Sequence, residues 1–237
     1  MTAIFITATG TDVGKTLLTC GLIRHFRREG GAVAAIKPVV SGFDPAALAG
    51  SDPAALLAAL GSPLTIAELE RISPWRFAAP LSPDMAAARE GRSIEFAAVA
   101  EFCRNAVAAH RGHLLIEGIG GIMVPLDARR TVLDLMVELK LPLLLVAGSY
   151  VGTISHTLTA LEVLARRDLD VAAVAVSESE RSAALLEDTV AALARFSGPL
   201  DVIGIPRLGD TAVSHPAFAR IANAVANLKR RLSSPML

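Results

Sequence analysis

Residues 3–23 read AIFITATGTDVGKTLLTCGLI: an apolar run, a stretch of small and polar residues, then apolar residues at helical spacing. The first part reads as a strand, and KTLLTCGLIRHF places its apolar side chains on one face of a helix. A glycine-bearing turn between strand and helix aims backbone N–H groups and a helix N-terminus at one point, which suits phosphate oxygens. In that setting Lys15 would bridge outer phosphates and the Thr16 hydroxyl would hold Mg²⁺. The ordinary loop, G-x-x-x-x-G-K-[ST], wants a glycine where this chain has Thr9, and Gly10 stands one place late. A plain strand–turn–helix junction, with Gly14 only relieving crowding, is the competing reading.

The alternation continues along the chain. Short apolar runs predict strands at 4–7, 33–37, 114–117, 143–147, 171–176 and 202–205, and helical periods predict helices at 15–28, 53–60, 96–109, 132–139, 153–166, 181–196 and 216–232. The runs are apolar throughout rather than alternating, the pattern of a mainly parallel sheet with helices on both faces, an α/β fold. Residues 41–91 form the least regular stretch, and no linker divides residues 1–237, which predicts one domain. In such a sheet, polar residues that follow strands share one rim and one site.

Two other strand ends carry chemistry. Lys37 closes the second run in IKPVVSG, and beside a phosphate loop it reads as a second cation for a transferring phosphoryl group rather than a lysine reaching solvent. Glu117 follows the third run in LLIEGIGGIMVPL, where phosphate-loop enzymes place a metal-directed carboxylate. Gly118, Gly120 and Gly121 leave backbone open to a ligand, although glycine clusters also mark plain turns. Asp52, in GSDPAAL, reads first as a helix N-cap. His110 and His113 read as solvated turn residues, Trp75 as packing under a loop, and LKRRL as a solvated helix end.

Composition narrows the partners. Twenty-three basic residues balance twenty-three acidic ones, which argues for small molecules over nucleic acid. The apolar runs are too short to span a bilayer, and the two isolated cysteines suit free thiols in a reducing cytoplasm.

Taken together, TGTDVGKT, KPVVSG, the Ser51–Asp52 pair, PWRFAAPLSPDMAAAREGRSIE, IEGIGGIMVPL, GTISHTLTALE and GIPRL resemble the dethiobiotin synthetase family, over residues 4 to 208. The resemblance implies a P-loop NTPase fold and a longer phosphate loop, T-G-T-D-T-x-V-G-K-T, which explains Thr9. Ala8 and Gly10 depart from it. The implied reaction converts diaminopelargonate, carbon dioxide and ATP to dethiobiotin: an amine captures carbon dioxide as a carbamate, ATP phosphorylates it, and the second amine closes the ureido ring. The implied catalytic residues are Lys37, Lys15 and Thr11. ATP would lie on Asp12, Val13, Gly14, Lys15 and Thr16, with Asp52, Glu117, Gly118, Ile119 and Gly120 around its phosphates. Ser177 and Glu178 would meet its base, and Pro206, Arg207 and Leu208 would also bind ATP. Substrate would contact Thr11, Lys37, Ser41, Gly152, Thr153 and Ser155, and magnesium would contact Thr16, Asp52 and Glu117. A homodimer with the site at the interface is also implied.

Two departures bear on specificity. Ser177–Glu178 stands where the family has an Asn–Asp pair for adenine, so looser nucleotide selectivity is expected, and Ser155 replaces a common asparagine. The competing reading from another class is a ParA/MinD-like ATPase switch with protein or membrane partners. Its signature lysine would fall at Gly10. Glutaminase-linked cobyrinate-type synthetases would need a further domain.

Overall fold

The apolar runs become neighbouring strands, the central ones buried on both sides and the outer two only in part. In the computed structural model of the chain, which describes residues 2–180, 182–208 and 215–233, β1 (Thr2–Ala8) is followed by α1 (Lys15–Arg28), then β2 (Val33–Ile36) and β3 (Val39–Ser41). Next come α2 (Asp52–Leu60), α3 (Ile66–Ile72), β4 (Trp75–Phe77), α4 (Pro83–Arg89), α5 (Phe96–Ala109) and β5 (His113–Glu117). The remainder alternates α6 (Val132–Leu139), β6 (Leu143–Gly148), α7 (Thr153–Arg166), β7 (Val171–Ser177), α8 (Leu186–Phe196), β8 (Asp201–Ile205) and α9 (Pro216–Ser233).

The main sheet has six strands in the order β2-β5-β1-β6-β7-β8, and every neighbouring pair is parallel. All carboxyl ends therefore meet at one edge, as the apolar runs predicted. Every residue of β6 is buried, so helices cover both faces at the centre. Helix α1 packs on β2 and β5, α5 on β5, and α9 on β7 and β8. Cys20 and Cys103 lie free and buried in this core, where burial pushes both thiols up to about 12.

Residues 41–91 are more regular than their composition suggests. Besides the expected α2 they hold α3, α4 and β4, which pairs in parallel with β3 to make a second, two-stranded sheet; α3, α4 and β4 are too short for periodicity to register. Helix α8 starts at Leu186 rather than 181, a residue outside those described; the Ser182 hydroxyl bonds the Ala184 backbone instead. The expectation of solvated turn histidines is overturned for His113, which opens β5 and stacks on Phe26 with ring centroids 3.8 Å apart. Trp75 meets Phe102 edge-on at 5.7 Å. The LKRRL segment falls in α9, but the side chains of Lys229, Arg231 and Leu232 lie outside the described residues. Among the described residues no helix is long and apolar enough to cross a membrane.

Candidate active site

The phosphate loop leaves β1 at the centre of the sheet edge. Thr9 N–H still donates to Val146 O at 2.9 Å, and then the backbone turns through left-handed conformations at Asp12 (φ 55°) and Gly14 (φ 100°). Aspartate is among the few residues that tolerate such a φ. At Gly14 a side chain would also collide, since a Cβ would lie 2.6 Å from Ser177 Oγ. Ala8 and Gly10 show no positive φ; Ala8 is a buried strand residue, and a Cβ on Gly10 would meet nothing within 4 Å. Neither departure strains the backbone of the loop.

Lys15, the first residue of α1, is 6% exposed, and its Nζ donates to Gly10 O at 2.9 Å. Burial, followed by the nearby Lys37 charge, lowers its value to about 8. Lys37 stands just beyond β2, where its backbone N–H donates to Ile72 O at 2.9 Å. Its ammonium sits between two carboxylates, 2.5 Å from Asp52 Oδ2 and 2.6 Å from Glu117 Oε1. Burial alone would lower Lys37; the two carboxylates outweigh it and hold the group above the usual lysine range. Burial likewise pushes Asp52 up, and Lys37 with the Thr16 hydroxyl more than reverses this.

Asp52 is thus no N-cap. Ser51 takes that role, its Oγ accepting from Ala54 N–H at 3.3 Å, and Asp52 is freed to face Lys37 from the first turn of α2. The Thr16 hydroxyl donates to Glu117 Oε1 at 2.7 Å. Glu117 is fully buried, yet among the described residues its Oε2 has no hydrogen-bond partner. Hydroxyl and carboxylate oxygens from Thr16, Asp52 and Glu117 therefore converge, with one buried acceptor left over.

Two cavities flank the loop. One, of about 350 Å³, is lined by Thr11, Asp12, Gly14, Lys15, Thr16, Lys37, Ser41, Asp52, Ile119 and Gly120, with Leu17 and Val40 as apolar walls. The other, of about 320 Å³, is lined by Asp12, Val13, Gly14, Leu17, Ser177, Glu178, Ser179, Glu180, Arg207 and Leu208. Not every expected residue joins them. Gly118 lines neither; its N–H donates to Ile6 O at 2.9 Å, so it is committed to β1 instead of a phosphate. Pro206 also lines neither. Gly152, Thr153 and Ser155 stand apart at the N-terminus of α7. Thr153 there is spent: its hydroxyl donates to Gly148 O at 2.7 Å and its N–H to Tyr150 O at 3.1 Å. Gly152 (φ 96°) and Ser155 are exposed.

A family model described as "AAA domain" matches residues 2–212. The chain is 49% identical over 208 residues to the ATP-dependent dethiobiotin synthetase BioD of Caulobacter sp. (strain K31), covering 87% of this chain and 89% of that protein. To the protein of the same name from Phenylobacterium zucineum (strain HLK1) it is 43% identical over 234 residues, 98% of each chain. It belongs to the dethiobiotin synthetase family. Solved structures add the fold: the MinC:MinD cell division protein complex of Aquifex aeolicus aligns over 100% of this chain and 99% of its own, at TM-score 0.57 and 16% identity. MinD complexed with Mg-ADP from Pyrococcus horikoshii aligns over 99% of each chain, at TM-score 0.55 and 15% identity. The likeness to MinD is therefore one of fold alone, and the synthetase relatives displace the switch reading.

In this dethiobiotin synthetase family member, sequence patterns missed Leu17, Val40, Ser179 and Glu180. The first two are ordinary apolar residues of α1 and β3 and carry no signal. Ser179 follows the strand end already singled out, and it exchanges bonds with Ser149: its Oγ accepts from Ser149 N–H at 3.0 Å and its N–H donates to Ser149 Oγ at 2.9 Å. That pair ties the exits of β6 and β7 together beside the second cavity.

Proposed function

We propose that this chain makes dethiobiotin from 7,8-diaminopelargonate, carbon dioxide and Mg·ATP, with the ring-forming chemistry in the cavity between Lys15, Lys37 and Thr11. The observation that carries this reading is the pair of buried lysines facing one cavity of 350 Å³ beside a phosphate loop.

One amine of the substrate adds to carbon dioxide and loses a proton, giving a carbamate. A carbamate oxygen attacks the γ-phosphorus of ATP, ADP leaves, and a carbamic-phosphoric anhydride results. The second amine attacks the carbonyl carbon, loses a proton and expels phosphate, which closes the ring. No bond to the protein is needed at any stage. The chain's part is alignment and charge: Lys15 and Lys37 set two cations beside the transferring phosphoryl group, and Thr11 and Ser41 offer hydroxyls to the carbamate or amines.

The residues present fit magnesium. Among the described residues no three His, Cys, Asp or Glu side chains gather as a metal site; two carboxylates, a hydroxyl and the unpartnered Glu117 Oε2 suit a hard ion that keeps waters and takes phosphate oxygens. Thr16, Asp52 and Glu117 would hold it. When bound, the ion would neutralise phosphate charge and orient the polyphosphate.

The N-terminus of α7 lies outside both cavities and exposes Val151 (81%) and Ile154 (39%). In the proposed homodimer, Gly152 and Ser155 of one copy bind the substrate carboxylate in the other's site, through backbone N–H groups and the helix field, while Thr153 holds the turn that presents them. The buried free thiols fit a reducing cytoplasm.

Product analysis tests the reading. Purified protein with labelled bicarbonate, Mg·ATP and diaminopelargonate should give labelled dethiobiotin and ADP. Hydrolysis of ATP with no ring product would overturn it.

A further inference from the structure

The two cavities share Asp12, Gly14 and Leu17. A nucleoside triphosphate with its phosphates beside Lys15 and Lys37 therefore has its base in the second cavity, a placement that rests on the function proposed above. Val13, Leu17 and Leu208 give that cavity apolar walls for a ring, and Ser177 and Glu178 supply its polar end.

Both polar residues are held in place. Glu178 N–H donates to Ile205 O at 2.9 Å, and Glu178 Oε2 accepts the N–H of Arg207 at 2.9 Å. The exit of β8 thus grips the backbone and one carboxylate oxygen of Glu178, while Oε1 has no bond to the described residues. Ser177 is 8% exposed and packs against the phosphate loop, close enough that Gly14 has no room for a Cβ. The distance from phosphate cradle to base wall is set by that contact.

A carboxylate offers acceptors only, whereas a serine hydroxyl can donate or accept. We propose that Glu178 selects the nucleotide by its exocyclic group, taking a base that presents an amino group and rejecting one that presents a keto oxygen. The amino group of adenine donates to Oε1, and the Ser177 hydroxyl serves a ring nitrogen. A keto oxygen at the same place would face the carboxylate with no proton between them, and both would lose water for nothing in return. Selectivity set this way does not need the paired contact of an amide. It reads one group, amino against keto.

The test is binding, by calorimetry, of ATP, inosine triphosphate and purine riboside triphosphate, which carry an amino group, a keto oxygen and no exocyclic group at that position. Both analogues should bind at least about tenfold more weakly than ATP, the scale of one hydrogen bond to a charged group. Equal affinity of either analogue with ATP overturns the proposal. Glu178→Gln keeps a carbonyl oxygen for Arg207 N–H and turns an N–H₂ donor toward the base. It should shrink the inosine-to-adenosine ratio at least about threefold; an unchanged ratio overturns the assignment to Glu178. Failures remain separable. Protein that prefers ATP but forms no ring product keeps this inference and loses the synthetase reading. Protein that forms product and binds all three nucleotides alike does the reverse.

Discussion

The Lys37 ammonium lies 2.6 Å from Oε1 of Glu117, a carboxylate wholly shielded from solvent, and this pair is completed by Asp52 at 2.5 Å. The second cation of the site thus holds together the two carboxylates that would bind the metal.

Removing that cation should have two effects of opposite kind. Lys37→Met leaves Glu117 buried and uncompensated, which should cost about 3 kcal/mol or more of folding stability in urea titrations. The same variant frees both carboxylates, so Mn²⁺, read by its electron paramagnetic resonance signal without nucleotide, should bind at least about tenfold more tightly than to the parent. Weaker or equal Mn²⁺ binding would show that Lys37 does not guard the metal position. Lys37→Gln should keep ATP binding and lose most turnover.

Lys15 predicts a dependence on pH. Its folded value, about 8, lies below the ordinary lysine value of 10.5. The unfolded chain therefore binds the extra proton between those limits, and stability in nucleotide-free buffer with chelator should rise as pH climbs from 8 toward 10.5. Below pH 8 the buried ammonium is a full penalty of about 3 kcal/mol. Lys15→Met should lift that penalty, stabilising the empty protein by about 1–3 kcal/mol at pH 7 in chemical denaturation, and it should erase the thermal shift caused by ATP. A less stable variant would show that the bond to Gly10 O outweighs the cost of burial.

Gly14 is required twice over, for its φ of 100° and for the Ser177 side chain beside it. Gly14→Ala should abolish the thermal shift with ATP. A second change, Ser177→Gly, removes the collision but not the backbone strain of about 1 kcal/mol, so ATP binding should return in part. Full recovery would mean that strain plays no role.

At the N-terminus of α7, Gly152→Glu should raise KM for diaminopelargonate at least about tenfold through charge repulsion. Gly152→Ala shares the positive φ and adds no charge, and a Cβ there meets nothing nearer than His156 Cε1 at 3.7 Å. It therefore isolates the electrostatic part. At diaminopelargonate concentrations well below the raised KM, mixing Lys37→Gln protein with Gly152→Glu protein should give more activity than the two show separately, because one site of a mixed dimer would be intact. No recovery after subunit exchange would place the loop and the lysine in the same copy's site.

Most of the main sheet could be read from apolar runs, because strands buried on both faces leave a signal that needs no partner. Lys37 and Glu117 were legible for the same reason, as charged residues closing such runs, and Lys15 from the glycine-bearing turn that precedes it. Asp52 was not: its sequence setting is that of a cap, and only the fold shows Ser51 doing that work and Asp52 reaching Lys37. Gly118 erred the other way, since a glycine run looks uniformly open while one of its N–H groups is spent on Ile6 O. The walls Leu17 and Val40 and the histidine stack on Phe26 depend on distant neighbours and have no local signature.

The small sheet of β3 and β4 has a further consequence for how this chain can change. Its strands pair Val39 with Trp75 and Ser41 with Phe77, and Trp75 N–H donates to Pro38 O while Phe43 N–H donates to Phe77 O. The excursion from 44 to 74 is therefore clipped at its base, like fabric held by a brooch. Residues 63–65, between α2 and α3, are exposed, so residues inserted there, outside both helices, are expected to leave Ser41 and Lys37 where they stand. Length variation across the family is expected to collect at that tip, letting the surface diversify while the chemistry beneath it keeps its geometry.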